Sequence, residues 1–165
     1  MKSIVIYATR YGNTRKVAET IAEELRSRGT AQLFAADEAP ALLPEGTDLV
    51  VIGGPTEAHA MTPTLAAVFD HIEPEALLGV AAAAFDTRLR WPRWLSGSAG
   101  AGALNKLELA GAQMIAPAES FFVKNEEGAD KSVGPKLEPG ELERAAQWAV
   151  SLAEKAHSAL TTAQS

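Results

Sequence analysis

The sequence has no cysteine and only three histidines, and these shortages exclude several common kinds of site. Without cysteine there is no disulfide framework, no Cys-ligated zinc or iron–sulfur centre and no Cys nucleophile. The histidines (His59, His71 and His157) are far apart and lack the HExxH or His-x-His spacing of a metal site. We therefore expect the chain to have no resident metal.

Long apolar runs and excess positive charge are also missing. The longest apolar run, Leu77 to Phe85, is interrupted by Gly79 and is much shorter than the roughly 20 residues that span a membrane. The N-terminus enters an apolar strand at Ser3 and Ile4, with no signal-peptide pattern before it. A net charge of −6 argues against binding to nucleic acid. We expect a cytoplasmic protein that does not insert into membranes, with one domain over residues 1–165.

Short apolar segments alternate along the chain with segments of helical periodicity. Strands are predicted at Ser3–Ala8, Ala31–Ala35, Asp48–Gly53, Val80–Phe85 and Gln113–Ala116, with Ser120–Val123 as a possible extension of the last. Helices are predicted at Asn13–Arg28, Thr64–Ile72, Ser98–Leu109 and Glu141–His157. The first helix would be capped by Asn13 or Thr14 and would end at Gly29. The tail from Ser158 is expected to fray.

This alternation predicts a parallel sheet with helices on both faces, because parallel neighbours require crossover connections. Ligands of such sheets bind outside the carboxyl ends of the strands, where the strand order reverses. The loops that follow strands one, three, four and five are therefore the candidate site. They cover residues 9–14, 54–62, 86–97 and 117–140.

The first of these loops has the composition of an anion site. It joins a buried strand to a helix N-terminus, where free N–H groups and the positive end of the helix dipole favour an anion. Thr9 and Thr14 add hydroxyl donors, Asn13 adds an amide, and Gly12 permits close approach of the backbone. A monophosphate fits better than a pyrophosphate, since neither GxGxxG nor GxxxxGK[ST] is present. A plain strand–helix turn remains an equal alternative on composition alone.

Two motifs resemble the flavodoxin family. Thr9-x-x-Gly12-x-Thr14 after the first strand is similar to the family's phosphate loop, and Val50 to Thr56 is similar to its third strand and first isoalloxazine loop. The resemblance implies a flavodoxin-like three-layer sandwich, with a five-stranded parallel sheet of order 2-1-3-4-5. It also implies FMN as the cofactor and redox proteins as the partners of a monomer or weak dimer.

The loop after the fourth strand carries two of the three tryptophans and three arginines. We expect at least one of Trp91 and Trp94 to stack on the flavin, although a small core beneath the loop would also accommodate an indole. Arg88, Arg90 and Arg93 form either a solvated rim or a contact with an anionic partner.

The predicted cofactor site combines the loops that follow the first, third and fourth strands. Its candidate residues are Thr9, Arg10, Tyr11, Gly12, Asn13, Thr14, Gly54, Pro55, Thr56, Glu57, His59, Asp86, Thr87, Arg88, Trp91 and Trp94.

The predicted function is FMN-dependent electron transfer, for which no catalytic acid or base is needed. One alternative is an FMN-dependent oxidoreductase on the same fold, of the quinone reductase or menaquinone-linked protoporphyrinogen oxidase type. Another is an interaction module that no longer binds FMN. Tyr11 in the phosphate loop, together with the lack of an aromatic residue between Thr56 and His59, is the observation that keeps this last alternative open.

Overall fold

A computed structural model describes residues 1–57, 59–73, 75–126 and 134–163, without the side chains of residues 93 and 163. The strands are β1 (Lys2–Tyr7), β2 (Thr30–Ala35), β3 (Leu49–Pro55), β4 (Ala81–Leu89), β5 (Gln113–Met114), β6 (Glu119–Lys124) and β7 (Lys136–Leu137). The helices are α1 (Asn13–Arg26), α2 (Pro63–Phe69), α3 (Arg93–Ser96), α4 (Ala99–Leu109) and α5 (Glu141–Ala163).

One sheet organises the chain, and its strand order is β2-β1-β3-β4-β6-β7, with β5 also paired to β4. All pairs are parallel except β6 with β7. Residues on alternate sides of each strand pack into two apolar clusters, one on each face of the sheet. The predicted flavodoxin-like α/β fold is confirmed. That residues 1–165 form a single domain stays a prediction.

The strongly apolar segments form elements close to those predicted. β1 and β3 are buried on both faces, which their runs of β-branched residues favour. The buried stripe of α1 contains Val17, Ala18 and Ile21, as its helical spacing predicts. The C-terminal helix is longer than expected, because α5 continues past Ser158, where fraying was predicted, to Ala163. Among the described residues, no helix combines the length and apolar character needed to cross a membrane.

The carboxyl side of the sheet differs from the prediction in two ways. β4 continues through Asp86, Thr87 and Arg88 to Leu89, so that the predicted loop at 86–97 begins inside a strand. The fifth strand is interrupted: β5 pairs with the start of β4, and β6 pairs with its end. The added antiparallel strand β7 was not predicted at all. The part of the polar segment at residues 127–133 lies outside the described residues.

Candidate functional site

A cleft of about 310 Å³ opens at the carboxyl ends of β1, β3 and β4. It is lined by Thr9, Arg10, Tyr11, Asn13, Thr14, Pro55, Thr56, Glu57, Thr87, Arg88, Leu89, Val123 and Pro135. The first ten of these belong to the site predicted from the sequence. The last three were missed. Leu89 lies on a strand that extends further than expected, Val123 was predicted to lie on a strand but was not assigned to the site, and nothing in the local sequence marks Pro135.

The loop after β1 presents an open helix N-terminus. Gly12 is the N-cap of α1 in the left-handed conformation, with φ at 82°, and no side chain of the described residues caps the helix. The first helical hydrogen bond runs from the Lys16 N–H to the Gly12 carbonyl at 3.2 Å, which leaves the three preceding amides without helical acceptors. By contrast, Thr62 caps α2 and Ser98 caps α4. The end of α1 is thus available to an anion.

Thr9 shapes this loop and remains able to donate a hydrogen bond. Its hydroxyl oxygen accepts a hydrogen bond from the Gly12 N–H at 3.0 Å, which closes the turn. Because a hydroxyl can accept and donate at once, the Thr9 proton is left for a ligand in the cleft.

Asn13 and Thr14 do not cap α1, and this prediction was wrong because the helix begins at Asn13 itself. The Asn13 side chain instead bonds the backbone of residues 134–137, the return segment that includes β7. It donates to the Pro135 carbonyl at 2.7 Å and accepts from the Leu137 N–H at 3.3 Å. The buried Thr14 hydroxyl lies 2.7 Å from the Thr87 hydroxyl. Only one proton occupies that contact, so the other hydroxyl can donate elsewhere.

Arg10 connects the loops after β1 and β3. Its Nη1 lies 3.4 Å from Glu57 Oε1, and its guanidinium carbon lies 5.2 Å from the centre of the Tyr11 ring. The Arg10 side chain is 61% exposed, so this ion pair contributes little to stability but places a positive charge beside the open end of α1. Arg10 and Glu57 also line a second cleft, of about 530 Å³, between the ends of β1 and β2 and the start of α2.

Asp86 and Arg88 lie inside the protein, so Arg88 is neither part of a solvated rim nor free to meet a partner. Asp86 is completely buried and Arg88 is 8% exposed. The Arg88 Nε lies 3.7 Å from Asp86 Oδ1 and donates to the Ser120 hydroxyl at 3.0 Å. Arg88 lines the cleft, and Asp86 lies beside it in the interior and is not part of the lining.

Arg90 has a structural partner as well. It pairs with Glu138 at 2.7 Å, and its guanidinium carbon lies 4.0 Å from the centre of the Phe122 ring. The hydrogen bond from Arg90 holds the pKa of Glu138 below its ordinary value, and the same bond raises the pKa of Arg90. The side chain of residue 93 lies outside the description.

The remaining predicted residues are not among those that line the cleft in the described part of the chain. The side chains of Trp91 and Trp94 are 54% and 85% exposed. Stacking of either indole on the flavin stays a prediction, and it requires the flavin ring to extend beyond the cleft. His59 is exposed, with φ at 72°, and forms a bridge to Gly97. Its neighbour Ala58 lies outside the described residues. Gly12 and Gly54 have no side chain, so only their backbone atoms are available to a ligand.

The fold and part of the sequence match known proteins. Residues 4–75, somewhat less than half of the chain, match the family model described as "Flavodoxin domain". No curated protein sequence matches this chain.

Solved flavodoxins share the fold over nearly the whole chain. Oxidised flavodoxin 1 from Bacillus cereus has a TM-score of 0.76 at 20% identity, covering 93% of this chain and 98% of that one. Flavodoxin 2 from the same organism has a TM-score of 0.74 at 18% identity, covering 94% and 99%. Rubredoxin oxygen:oxidoreductase from Desulfovibrio gigas has a TM-score of 0.72 at 20% identity, covering 96% of this chain but 37% of that one.

The cleft fits FMN, the cofactor that the flavodoxin resemblance implies. The uncapped amides of α1, the Thr9 hydroxyl and the Arg10 charge suit a phosphate, and a Cβ built on Gly12 meets nothing within 4 Å. Pro55, Leu89 and Val123 supply apolar surface for a ring. A volume of about 310 Å³ lies at the lower end of the range for ligand pockets. The flavodoxin-like fold predicted from the sequence is confirmed, and the lining of its cleft suits the predicted cofactor.

Proposed function

We propose that this chain binds FMN in the cleft at the carboxyl edge of the sheet and passes electrons between redox partner proteins. The observation that carries the proposal is the open N-terminus of α1, which faces the same cleft as the loops after β3 and β4. When bound, FMN supplies the redox chemistry, and the protein has to hold it, orient it and control access to it.

Each part of the lining has a distinct role in this proposal. The first-turn amides of α1 and the Thr9 hydroxyl bind the phosphate, and Arg10 neutralises part of its charge. Pro55 and Leu89 flank the ring. Electron transfer needs an accessible cofactor edge rather than a proton donor, which agrees with an open cleft.

FMN titration of the purified protein tests the proposal directly. Addition of FMN to the cofactor-free protein should quench flavin fluorescence to a saturable end point, and riboflavin should bind more weakly because it lacks the phosphate. A protein that stays colourless and leaves the fluorescence of excess FMN unchanged would overturn the proposal. A chemically reduced complex should then pass electrons to cytochrome c.

Thr14→Val separates the phosphate site from the rest of the cleft. The variant removes a buried hydroxyl that contacts Thr87, so FMN affinity should fall by a factor that corresponds to roughly 1–3 kcal/mol. Riboflavin affinity should change less. Thr20→Val is the matched control, since Thr20 lies on the same helix and bonds only the Lys16 carbonyl. Equal losses of FMN affinity in the two variants would place the phosphate elsewhere.

A further inference from the structure

Asp86 and Arg88 are two residues apart on β4 and therefore point to the same face of the sheet. Both are charged and both are buried, with the Arg88 Nε 3.7 Å from Asp86 Oδ1. Removal of two charges from water costs several kcal/mol per ion in general, and a well-packed apolar pair is often at least as stable. The pair thus calls for an explanation other than stability, and its hydrogen bonds supply one.

The Asp86 carboxylate fastens the loop after β3 to the start of α4. Its Oδ2 accepts from the Thr56 hydroxyl at 3.2 Å, from the Ser98 hydroxyl and from the Gly100 N–H at 3.2 Å. The Thr56 oxygen in turn accepts from the Ala99 N–H at 2.9 Å. Because Thr56 also lines the cleft, the position of that wall depends on a buried carboxylate behind it.

The Arg88 guanidinium fastens the other wall. Its Nη1 donates to the Trp91 carbonyl at 2.6 Å and to the Ser96 hydroxyl at 3.1 Å, so the loop from Leu89 to Ser96 folds around it. Its Nε donates to Ser120 on β6. The planar guanidinium presents several donors in fixed directions, which a lysine in this place would not do.

We propose that Asp86 and Arg88 are positioning residues that together set the separation of the loops after β3 and β4. This separation determines how tightly the cleft binds the ring of the cofactor. The inference rests on the proposed function. Arg88 lines the cleft beside Leu89 and Asp86 supports it from the interior, whereas the phosphate end is built by α1 and the loop after β1. Loss of the pair should therefore weaken binding of the ring and leave binding of the phosphate unchanged.

Two probes separate these ends in wild-type protein and in Asp86→Asn: riboflavin, which lacks the phosphate, and inorganic phosphate, which lacks the ring. Riboflavin affinity should fall by about tenfold, as is common when a group that orients a binding residue is changed. Phosphate affinity should stay within about twofold, which is well under the tenfold step that 1.4 kcal/mol represents. Equal loss of both affinities, or no loss of either, would overturn the proposal.

Glu141→Gln is the matched control. Glu141 is 6% exposed, and its carboxylate accepts from the Phe122 N–H and from Arg144, away from the cleft. The variant should lower the stability of the protein without changing riboflavin affinity. A parallel fall in riboflavin affinity would mean that any buried carboxylate of this chain has the same effect, and the assignment to Asp86 would be lost.

Thr56→Val keeps the test decisive if Asp86→Asn does not fold. It leaves both buried charges paired and removes only the hydroxyl that links the carboxylate to the loop after β3. Riboflavin affinity should fall, and Thr56→Ser should restore it, because serine keeps the hydroxyl. Hydrogen exchange of the cofactor-free protein should show faster exchange at Ala99 in Thr56→Val. Unchanged exchange and unchanged riboflavin affinity would overturn the positioning role.

Failure of this inference is distinguishable from failure of the proposed function. If wild-type protein binds neither FMN nor riboflavin, the proposed function is wrong and the inference falls with it. If wild-type protein binds both and the variants bind riboflavin as tightly, only the positioning role of Asp86 and Arg88 is wrong.

Discussion

At the scale of single residues, Gly12 determines how the loop after β1 meets α1. Its φ of 82° lies in the region that is accessible to glycine and costly for other residues, and no heavy atom lies within 4 Å of an added Cβ. The penalty for a side chain there is therefore one of backbone conformation and not of space.

Gly12→Ala should destabilise the protein by about 1–2 kcal/mol, the cost of the left-handed conformation for a residue with a Cβ. It should also weaken FMN binding about tenfold, because relaxation of the turn misdirects the amides at the start of α1, and loss of one hydrogen bond to a charged group costs roughly 1.5–3 kcal/mol. Urea unfolding and FMN titration measure the two effects.

Gly140→Ala provides the comparison. Gly140 has φ at 85°, equally open space, and a carbonyl that accepts the first hydrogen bond of α5 from the Arg144 N–H. It should lose similar stability and keep its FMN affinity. If both variants bind FMN like wild type, the geometry of Gly12 has no part in the cofactor site.

At the scale of elements, the short strand β7 is held in place by side chains as well as by its pairing with β6. Asn13 bonds the backbone on both sides of Lys136 and so acts like a neighbouring strand toward Pro135 and Leu137. Gly134 lies against the Tyr11 ring, where an added Cβ would overlap it. The return segment is thus attached to the loop after β1 and to the start of α1.

Asn13→Ala should release this segment, since the Leu137 N–H and the Pro135 carbonyl both lose a partner. The expected cost is about 1–3 kcal/mol, the range for buried groups left unsatisfied. Hydrogen exchange should show faster exchange of the Leu137 amide. Asn105→Ala, on the exposed face of α4, should leave exchange and stability close to wild type. Unchanged protection of Leu137 in Asn13→Ala would show that β6 alone holds β7.

The pair of Arg90 and Glu138 connects the loop after β4 to the residue that follows β7. Because the folded state depresses the pKa of Glu138, the pair contributes stability above the unfolded-state pKa, and that contribution disappears as the pH falls through the folded pKa. Carboxyl titration by NMR should place the midpoint of Glu138 below 4.5, its ordinary value. The midpoint should return toward that value in Arg90→Gln. A midpoint that the substitution does not move would contradict the assigned cause.

At the scale of the whole molecule, an aromatic group fills the middle of one apolar layer. Phe85, Phe121 and Trp148 contact one another edge to face, with ring centres 5.8 to 6.2 Å apart. The group joins β4, β6 and α5. It supplies volume in the layer that Ala81 and Ala83, two of the four alanines at the start of β4, also face.

Phe121→Ala should destabilise the protein by about 3–5 kcal/mol, because it leaves a cavity among groups that cannot close around it. Urea unfolding followed by circular dichroism measures the change. Leu109→Ala is the surface comparison: Leu109 is 76% exposed, and its substitution should stay within about 0.5 kcal/mol of wild type. A loss below about 1 kcal/mol in Phe121→Ala would mean that the layer repacks.

The sequence by itself determined the elements whose signal is local. The β-branched runs of β1 and β3, the apolar stripe of α1 and the long helix α5 each carry their pattern within a few residues. The position of the loop after β1 follows from the same information, since a loop between a buried strand and a helix start lies at the carboxyl edge of a parallel sheet.

Only the tertiary structure decided the parts whose partners are distant in sequence. Asp86 and Arg88 are typical of an exposed loop, yet they lie on a buried strand, where Thr56 and Ser98 bond one carboxylate oxygen of Asp86 and Ser120 bonds Arg88. Asn13, a predicted cofactor residue, also bonds the backbone beside β7, which lies more than 120 residues further along the chain. A buried polar group is stable only with a partner, and no local pattern names a partner that the fold brings from another element.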